Sequence, residues 1–449
     1  MGFIDSSVTA VALPAIRASL SASLEAAQWI SNAYLLTLSA LVLAGGAMGD
    51  RFGIGRVFAW GIAGFVLCSL ACAAALDAGQ MIAARALQGV AAGVMVPGSM
   101  ALVARAYPRA ERGRALGLWA AATTATTALG PVLGGVLLSI GGGEIWRAIF
   151  ALNLPLGLAA LTLLRRYALP DRGRPGIPID LAGAGLAVLG LGLVAGGLTT
   201  PSRLAWPMAV TGLGCLAGFL IWEARARHPM IRLGMFANRA FAAANLATFL
   251  LYVAITGIGF YLPMTAMSAW GQSPIAVTLA FLPTSIQIAL LSSPVGRLAD
   301  RIGPFPLMAG GALVVAVAQA GLLLVAPAPD FWGQIFPLMI LSGFGIALVV
   351  APLTIAVMAE AGETEQGAAS GINNVVARAA TLVAVAALGR IAAAGYGEVG
   401  PGLPGFGLTA ETPAHLAATG VAFGWMAGVA LACSLASALV CATQIRRRR

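Results

Sequence analysis

Long apolar runs separated by short polar turns constrain the fold of this chain more than any other feature. A helix needs about 20 apolar residues to cross ~30 Å of hydrocarbon, and thirteen runs suited to that length lie between residues 28 and 442. The runs are continuous rather than alternating, which excludes a membrane β-barrel. Only 9% of the residues are charged, whereas a soluble domain carries about 25%. The sequence therefore predicts an all-α protein that crosses a membrane many times.

The segment before these runs is apolar but short. Residues 2–17 cover about 24 Å at ~1.5 Å per helical residue, which is less than a full crossing. A signal peptide does not fit, because no basic residue precedes the apolar stretch and Asp5 interrupts it. We interpret the segment as the outer part of a first helix whose inner end is missing. The expected total is fourteen spans, the first one truncated.

The positions of the arginines predict the orientation. All 26 basic residues are arginine, and twenty of them fall in alternate junctions between the runs. Cytoplasmic loops of membrane proteins carry such an excess, so we expect these junctions and the C-terminus to face the cytoplasm, in the cytoplasmic (inner) cell membrane. Topology also accounts for the net charge of +10, so no nucleic-acid partner is expected.

A glycine-rich turn occurs twice, about half a chain apart. The copy at residues 46–56 reads GAMGDRFGIGR, and the copy at 296–303 reads GRLADRIG. Each lies between two apolar runs, which indicates a duplicated architecture of the kind that membrane transporters use. The predicted parts are a six-helix half at 1–167, a linker with a two-helix hairpin at 168–223, and a six-helix half with a basic cytoplasmic tail at 224–449. The motif positions are Gly46, Asp50, Arg51, Gly53, Arg56, Asp300 and Arg301.

Two charged residues inside the predicted spans are candidates for chemistry. A charge at the centre of the hydrocarbon costs ~2.5–3.5 kcal/mol on insertion scales, so it marks a functional site by default. Asp5 lies about 15 Å into the first helix, and Arg85 lies within ~6 Å of that depth, which an arginine side chain spans. Desolvation favours the neutral form of a carboxyl group, which suits reversible protonation. We interpret the pair as a proton-coupling site, and the alternative is a fixed structural ion pair.

A glycine–proline motif lies in the fifth span. Its glycines form a GxxxG face that lets helices approach closely, and its proline removes a backbone hydrogen bond and kinks the helix. Taken alone, the motif favours a role in helix packing over a direct role in transport. Its residues are Gly130, Pro131, Gly134 and Gly135.

Polar residues in the second half are candidates for lining a substrate site. Each of them fits equally well a role in bonding a neighbouring helix. They are Tyr252, Gln287, Asn373, Asn374 and Arg378.

Cofactor chemistry is not expected. Two histidines that are distant in sequence do not suit a metal site, and the chain contains no phosphate-binding loop that would support ATP-driven pumping. Transport energy is therefore expected to come from an ion gradient.

Five stretches, taken in order, resemble the major facilitator superfamily, specifically its fourteen-helix drug:proton antiporter branch. They are residues 5–14, 46–56, 85–89, 117 with 130–135, and 367–374 with 378. The resemblance covers nearly the whole chain. It implies alternating access by two halves around a central site, with the loop motif at 46–56 latching the inner gate through Asp50.

The resemblance implies a secondary transporter rather than an enzyme. The function expected is proton-coupled export of small hydrophobic or drug-like molecules across the cytoplasmic membrane, with the lipid bilayer, protons and a small-molecule substrate as partners. A periplasmic adaptor is neither predicted nor excluded. The alternatives are an exporter of one metabolite or siderophore with the same fold, an N-terminally truncated inactive member, and a membrane receptor.

Overall fold

The computed structural model describes residues 1–141, 143–167, 173–174, 176, 180–200, 202–227, 229–359, 366–399, 406–408 and 412–448. Every regular element in these ranges is helical. The chain divides into two compact units, Met1–Ile231 and Arg232–Arg449.

The first unit contains nine α-helices among its described residues. They are α1 (Gly2–Ser19), α2 (Leu24–Phe52), α3 (Ile54–Ala74), α4 (Ala78–Ala106), α5 (Arg109–Gly141), α6 (Trp146–Ala151), α7 (Asn153–Tyr167), α8 (Leu181–Thr199) and α9 (Ala205–Arg225). The main packing partners are α2 with α4, α3 with α4, α8 with α9, and α1 with α5. The α8–α9 hairpin also packs against α2 within this unit, and the predicted three-part division of the chain stays a prediction.

The second unit contains six α-helices among its described residues. They are α10 (Arg239–Ser268), α11 (Pro274–Ile302), α12 (Pro304–Val325), α13 (Phe336–Ala359), α14 (Gln366–Val399) and α15 (Pro413–Arg448). Here α12 packs against both α13 and α15, and α10 packs against α14 and α15.

Five of the described α-helices begin at residues whose side chains cap them. Ser23 accepts a hydrogen bond from the amide of Ala26, and Asp77 accepts one from the amide of Gln80. Such caps satisfy amide groups that have no partner inside the helix. The same arrangement opens α8, α10 and α11, at Asp180, Asn238 and Ser273.

Helix length and surface character confirm a protein that spans the membrane many times. Eleven helices among the described residues are long and apolar enough to cross a membrane, and α2, which bends by 51°, makes a twelfth when it is counted as one span. Large apolar side chains such as Leu76, Trp206 and Leu324 are 77–79% exposed, which is favourable only in contact with lipid. The finer count of fourteen spans stays a prediction.

The two glycine-rich turns have the same backbone form. The α2 helix ends before Gly53, whose φ is +99°, and α11 ends before Gly303, whose φ is +84°. In each turn the glycine amide donates to the carbonyl oxygen four residues earlier, at 3.0 Å and 2.9 Å, and the next helix starts at once. These φ values lie in the region that glycine adopts without steric cost. The shared geometry supports the duplication inferred from the sequence.

Candidate functional site

The two charged residues singled out in the sequence form a buried ion pair. Asp5 is 2% exposed and Arg85 is 1% exposed. The Nη1 atom of Arg85 donates to Oδ2 of Asp5 at 2.5 Å. The sequence placed these groups at similar depths, and the structure brings them into direct contact.

Three further polar side chains complete the surroundings of the Asp5 carboxylate. Gln88 Nε2 donates to Asp5 Oδ1 at 3.0 Å, and Asn153 Nδ2 donates to the same oxygen at 3.2 Å. Both amides also donate to the hydroxyl of Ser69, at 2.9 Å and 2.8 Å. All three side chains are buried. The resulting network, which we call the Asp5 network, consists of Asp5, Ser69, Arg85, Gln88 and Asn153 and joins α1, α3, α4 and α7.

The guanidinium of Arg85 has partners besides Asp5. Its Nη1 donates to Gln88 Oε1 at 2.6 Å, and its Nε donates to the carbonyl oxygen of Ile30 at 3.1 Å. The ring of Tyr34 lies 4.3 Å from the guanidinium carbon, a cation–π contact worth ~2 kcal/mol where both groups are desolvated. Arg85 therefore keeps several favourable contacts when the charge on Asp5 changes.

Close packing of α2 and α4 positions Arg85. A Cβ built on Gly89 would fall on the carbonyl oxygen of Tyr34 and on the hydroxyl of Thr37, so only glycine allows this approach. The Thr37 hydroxyl donates to the carbonyl oxygen of Ala86 at 2.8 Å and fastens the two helices. Tyr34 and Arg85 come together as a result.

A break between α6 and α7 positions Asn153. Pro155 lies on the first turn of α7 and has no amide hydrogen to donate to the carbonyl oxygen of Ala151, where α6 ends. The break at Leu152 makes Asn153 the first residue of α7. At this position its side-chain amide donates hydrogen bonds to Asp5 and Ser69.

Sequence reasoning found two of the five network residues. Gln88 lies three residues after Arg85 and therefore shares its helix face. Asn153 is an isolated amide at the start of an apolar run. These two signals are weak, because a buried amide more often serves helix packing. Ser69 carried no signal at all.

The glycine–proline motif packs α5 onto α1 beside the network. A Cβ built on Gly130 would fall on Ser7, and one built on Gly134 would lie 3.0 Å from Cγ1 of Val8. Gly135 is buried, and the side chain of Pro131 lies outside the described ones. Gly130 and Gly134 thus allow α5 to pack closely on α1, the helix that carries Asp5.

The charged residues of the duplicated turn lie at the surface of their units. Asp50, Arg51 and Arg56 are exposed, and so are their counterparts Asp300 and Arg301, whereas Gly46 is half-buried. The backbone amide of Arg174 donates to the carbonyl oxygen of Asp50 at 2.8 Å. A segment from the predicted linker thus contacts the first turn within the first unit.

A cavity of about 350 Å³ in the second unit collects some of the predicted lining residues. Tyr252, Asn373 and Asn374 line it among mostly apolar side chains. Gln287 lies elsewhere, where its Nε2 donates to the carbonyl oxygen of Ile340 at 3.1 Å. Arg378 is half-buried one turn further along α14 and is not part of the lining.

Asn373 also forms hydrogen bonds with residues of the neighbouring helix α10, which is the alternative to substrate lining given in the sequence analysis. Its Nδ2 donates to Oδ1 of Asn245 at 3.1 Å and to the hydroxyl of Thr248 at 2.9 Å. The side chain of Asn374, which is exposed, donates to the carbonyl oxygen of Ser370 at 3.3 Å. Asn374 therefore presents the more accessible amide at this cavity.

A second cavity, of about 280 Å³, lies in the first unit near α1 and α5. Gly2 of α1 lines it together with Trp119, Thr123 and Thr126 of α5 and Met95 of α4. Its wall is largely apolar with a few hydroxyl groups. Sequence reasoning did not single out this cavity, because its lining comes from helices that are distant in sequence.

A polar cluster outside the spans joins the ends of α1, α3 and α6. Ser19 Oγ donates to Glu144 Oε1 at 2.6 Å, and Arg147 Nε donates to Glu144 Oε2 at 2.8 Å. Arg147 also donates to the carbonyl oxygens of Ala73 and Ala75, at 2.9 Å and 2.6 Å, where α3 ends. The hydrogen bonds from Ser19 and Arg147 hold the pKa of Glu144 below its ordinary value.

The fold and the Asp5 network define a class of protein. Many apolar helices, a repeated glycine-rich turn and a buried ion pair are features of secondary transporters. A family model described as Major Facilitator Superfamily matches residues 1–385. The chain belongs to the Major Facilitator Superfamily.

Relatives of this chain include transporters connected with antibiotics. It is 34% identical over 397 residues to an uncharacterised MFS-type transporter of Mycobacterium tuberculosis, covering 86% of this chain and 67% of the relative. It is 32% identical over 399 residues to the methylenomycin A resistance protein of Bacillus subtilis, covering 87% and 84%. It is 30% identical over 418 residues to the tetracenomycin C resistance and export protein of Streptomyces glaucescens, covering 89% and 74%. The predicted resemblance to the drug-efflux branch is confirmed.

Solved structures agree with this fold. A peptide transporter POT superimposes with a TM-score of 0.69 at 17% identity, covering 99% of this chain and 93% of that chain. The xylose transporter XylE from E. coli superimposes with a TM-score of 0.63 at 13% identity, covering 97% and 93%. The chain is a multi-pass membrane transporter, from a family of transporters rather than enzymes.

Proposed function

We propose that this protein is a proton-coupled antiporter that exports small hydrophobic or drug-like molecules from the cytoplasm. The observation that carries the proposal is the Asp5 network, in which a buried carboxylate accepts three hydrogen bonds from side chains of α4 and α7. Asp5 binds the transported proton, and Arg85 stabilises its charged form.

The network tolerates both protonation states of Asp5. When Asp5 is ionised, Arg85 neutralises it, which offsets the cost of a charge in hydrocarbon. When Asp5 binds a proton, Arg85 keeps Gln88, the carbonyl oxygen of Ile30 and the ring of Tyr34. A proton carrier needs a site whose surroundings accommodate both forms of the carboxyl group, and these contacts of Arg85 supply such surroundings.

Contacts of α1 link the proton site to a cavity. Asp5 lies on α1, and the same helix packs on α5 through Gly130 and Gly134. Gly2, also on α1, lines the 280 Å³ cavity together with Trp119 and Thr123 of α5. A shift of α1 on protonation changes the shape of that cavity, which supplies a physical route from proton binding to substrate release.

The character of the cavities supports small, largely apolar substrates. Apolar side chains with a few polar groups dominate both linings, as in most small-molecule sites. In the second unit, Tyr252, Asn373 and Asn374 supply the polar groups, and we assign them to substrate binding. The names of the methylenomycin A and tetracenomycin C resistance proteins support antibiotic-like molecules as the substrate class.

The topology that we propose has fourteen spans, with α8 and α9 as a hairpin between two six-helix halves. The C-terminus faces the cytoplasm across the cytoplasmic membrane, as the arginine distribution indicates. The turn at 46–56 acts as the gate latch of alternating access. Support for this role comes from the sharp corner at Gly53 and from the backbone hydrogen bond that the amide of Arg174 donates to the carbonyl oxygen of Asp50.

Proteoliposomes with an imposed pH gradient test the proposal. Tetracenomycin C, methylenomycin A and hydrophobic fluorescent dyes serve as probes, and a pH-sensitive dye inside the vesicles reports proton movement. We expect the wild-type protein to move protons and probe in opposite directions across the vesicle membrane. Asp5→Asn should lose gradient-driven transport while retaining exchange of labelled for unlabelled probe, because exchange needs no net proton movement.

A matched control is Asp77→Asn, since Asp77 is an exposed aspartate that caps α4 in the same unit. It should couple like the wild-type protein. Undiminished proton-driven transport by Asp5→Asn would show that the Asp5–Arg85 pair is a structural ion pair only. Transport of a single probe from a broad panel would favour the exporter of one metabolite.

A further inference from the structure

A pair of carboxyl groups lies at one end of the α8–α9 hairpin, apart from the Asp5 network. Asp180 caps α8, where its Oδ1 accepts the amide of Gly183 at 2.7 Å. Trp222 Nε1 donates to both oxygens of Asp180, at 3.0 Å each. The next residue on α9, Glu223, is 3% exposed, and its Oε2 accepts the amide of Ile231 at 2.8 Å.

The two carboxyl groups face each other across a glycine. A Cβ built on Gly183 would lie 2.6 Å from Oδ2 of Asp180 and 2.7 Å from Oε1 of Glu223. The two oxygens therefore share one small space, which any side chain at position 183 would fill. A glycine at this point of α8 is what allows the carboxyl groups to approach.

Among the described residues, no donor hydrogen-bonds to the Glu223 oxygen that faces this space. Glu223 Oε1 is buried and has no hydrogen-bond partner when both groups are ionised, because a carboxylate only accepts. A buried acceptor without a donor and two facing negative charges are both unfavourable. Oδ2 of Asp180 lies against the same space as Oε1 of Glu223, and two carboxyl groups hydrogen-bond to each other only when they hold a proton.

Among the residues that the structure describes, no other charge neutralises the pair. The other described groups that act on Glu223 are the backbone amides of Met230 and Ile231. Arg225 and Arg227, which follow Glu223 in the chain, are exposed. On α2, which packs against α8, the charged residues at the C-terminal end are Asp50 and Arg51, and both are exposed. Solvent screens exposed charges strongly, so a bound proton neutralises the pair better than any charged side chain of the described residues.

We propose that Asp180 and Glu223 bind one proton between them, forming a proton-binding site in the hairpin that is separate from Asp5. The proton resides on Glu223, because Asp180 accepts hydrogen bonds from a helix N-terminus and from Trp222, which favour its ionised form. Glu223 Oε1 then donates to Asp180 Oδ2. With its other oxygen Glu223 still holds the amide of Ile231, the last residue of the first unit. This site does not rest on the transport function proposed above.

Infrared difference spectroscopy of the purified full-length protein in lipid nanodiscs tests this site. The carbonyl stretch of a protonated carboxyl group disappears on ionisation, so it reports the bound proton directly. At neutral pH, the spectrum of the wild-type protein minus the spectrum of Glu223→Gln should show one such carbonyl band. Asp180→Asn should lose the same band, because the new amide donates to Glu223 and allows it to ionise, and the double variant should lose no more than either single variant.

Asp330→Asn is the matched control. Asp330 also caps a helical turn by accepting the amide of a glycine three residues on, Gly333, at 3.0 Å, and the turn that it caps lies in the second unit. It should leave the band unchanged. If the spectrum of Glu223→Gln keeps every protonated-carboxyl band of the wild-type spectrum, the proposal is overturned. This outcome is independent of the result for Asp5.

The pH dependence of thermal unfolding provides a second measurement. A native state that holds one proton more than the unfolded state loses stability as pH rises. Glutamate in the unfolded chain ionises at about pH 4.3, so as pH rises from that value to neutral the Tm of the wild-type protein should decrease relative to that of Glu223→Gln. Equal slopes would also overturn the shared proton. Asp180→Asn keeps the capping oxygen of α8 and carries the test if Glu223→Gln does not fold.

Discussion

Removing the positive partner of the Asp5–Arg85 pair should reveal how much the pair stabilises the first unit. Arg85→Met keeps a long apolar stem but leaves the Asp5 carboxylate, 2% exposed, without a counter-charge. The amides of Gln88 and Asn153 still donate to it. Breaking a buried ion pair in this way costs about 3–5 kcal/mol, so the free energy of unfolding should fall by that amount at neutral pH.

The reverse substitution should cost less, for a reason visible in the site. After Asp5→Asn, Arg85 retains Gln88, the carbonyl oxygen of Ile30 and the ring of Tyr34. Loss of one charged hydrogen bond then costs about 1–3 kcal/mol. The double variant carries no buried charge, and replacing a whole buried pair with neutral groups is often close to neutral. It should be more stable than Arg85→Met alone, with a coupling energy of at least about 2 kcal/mol.

Unfolding in mixed micelles, driven by a denaturing detergent and followed by circular dichroism, measures the four proteins of this cycle. Arg203→Met, at an exposed arginine, should stay close to the wild-type value. If the effects of the two single substitutions add to within about 0.5 kcal/mol, the inference that the two charges stabilise each other is refuted.

Three further predictions concern backbone geometry, helix packing and an external carboxylate. Gly53→Ala should destabilise by about 1–3 kcal/mol, because φ is +99° there, while Gly55→Ala, with open space around it, should not; equal Tm values would contradict this. Gly130→Ala should lower the Tm by overpacking worth about 1–3 kcal/mol, in contrast to Gly214→Ala, which meets nothing within 4 Å. The pKa of Glu144 is lowered, so its hydrogen bonds stabilise the folded protein above the pKa of about 4.3 that glutamate has in the unfolded chain, and this stabilisation is lost as pH falls through the pKa of the folded state. In Glu144→Gln the Tm should therefore depend less on pH in that acid range. An unchanged slope of Tm against pH would contradict the hydrogen bonds to Glu144.

Several of the sequence-based expectations depended only on local properties. The spans follow from runs of apolar residues, since each residue contributes its own transfer free energy. The duplicated turn was visible because glycine and the Asp-Arg pair recur at matching junctions, and Gly53 and Gly303 do adopt the same backbone form. Asp5 and Arg85 stood out because a charge in hydrocarbon is rare and costly wherever it occurs.

The assignment of substrate-lining residues shows where this reasoning stopped. Tyr252, Asn373 and Asn374 reach one cavity, whereas Gln287 bonds a backbone carbonyl outside it. All four are polar residues in apolar helices, so nothing in the composition around them differs. The rotation of each helix about its axis decides which of them faces the cavity.

The sequence by itself determined that this protein is an all-α membrane transporter with a duplicated motif and one intramembrane charge pair, because hydropathy and the cost of buried charge act residue by residue. Only the tertiary structure decided that Ser69, Gln88 and Asn153 close around Asp5, and that Gly183 brings Asp180 opposite Glu223. These residues lie on different helices, and their meeting depends on how closely and at what rotation the helices pack. Spacing along the chain carries no information about that rotation.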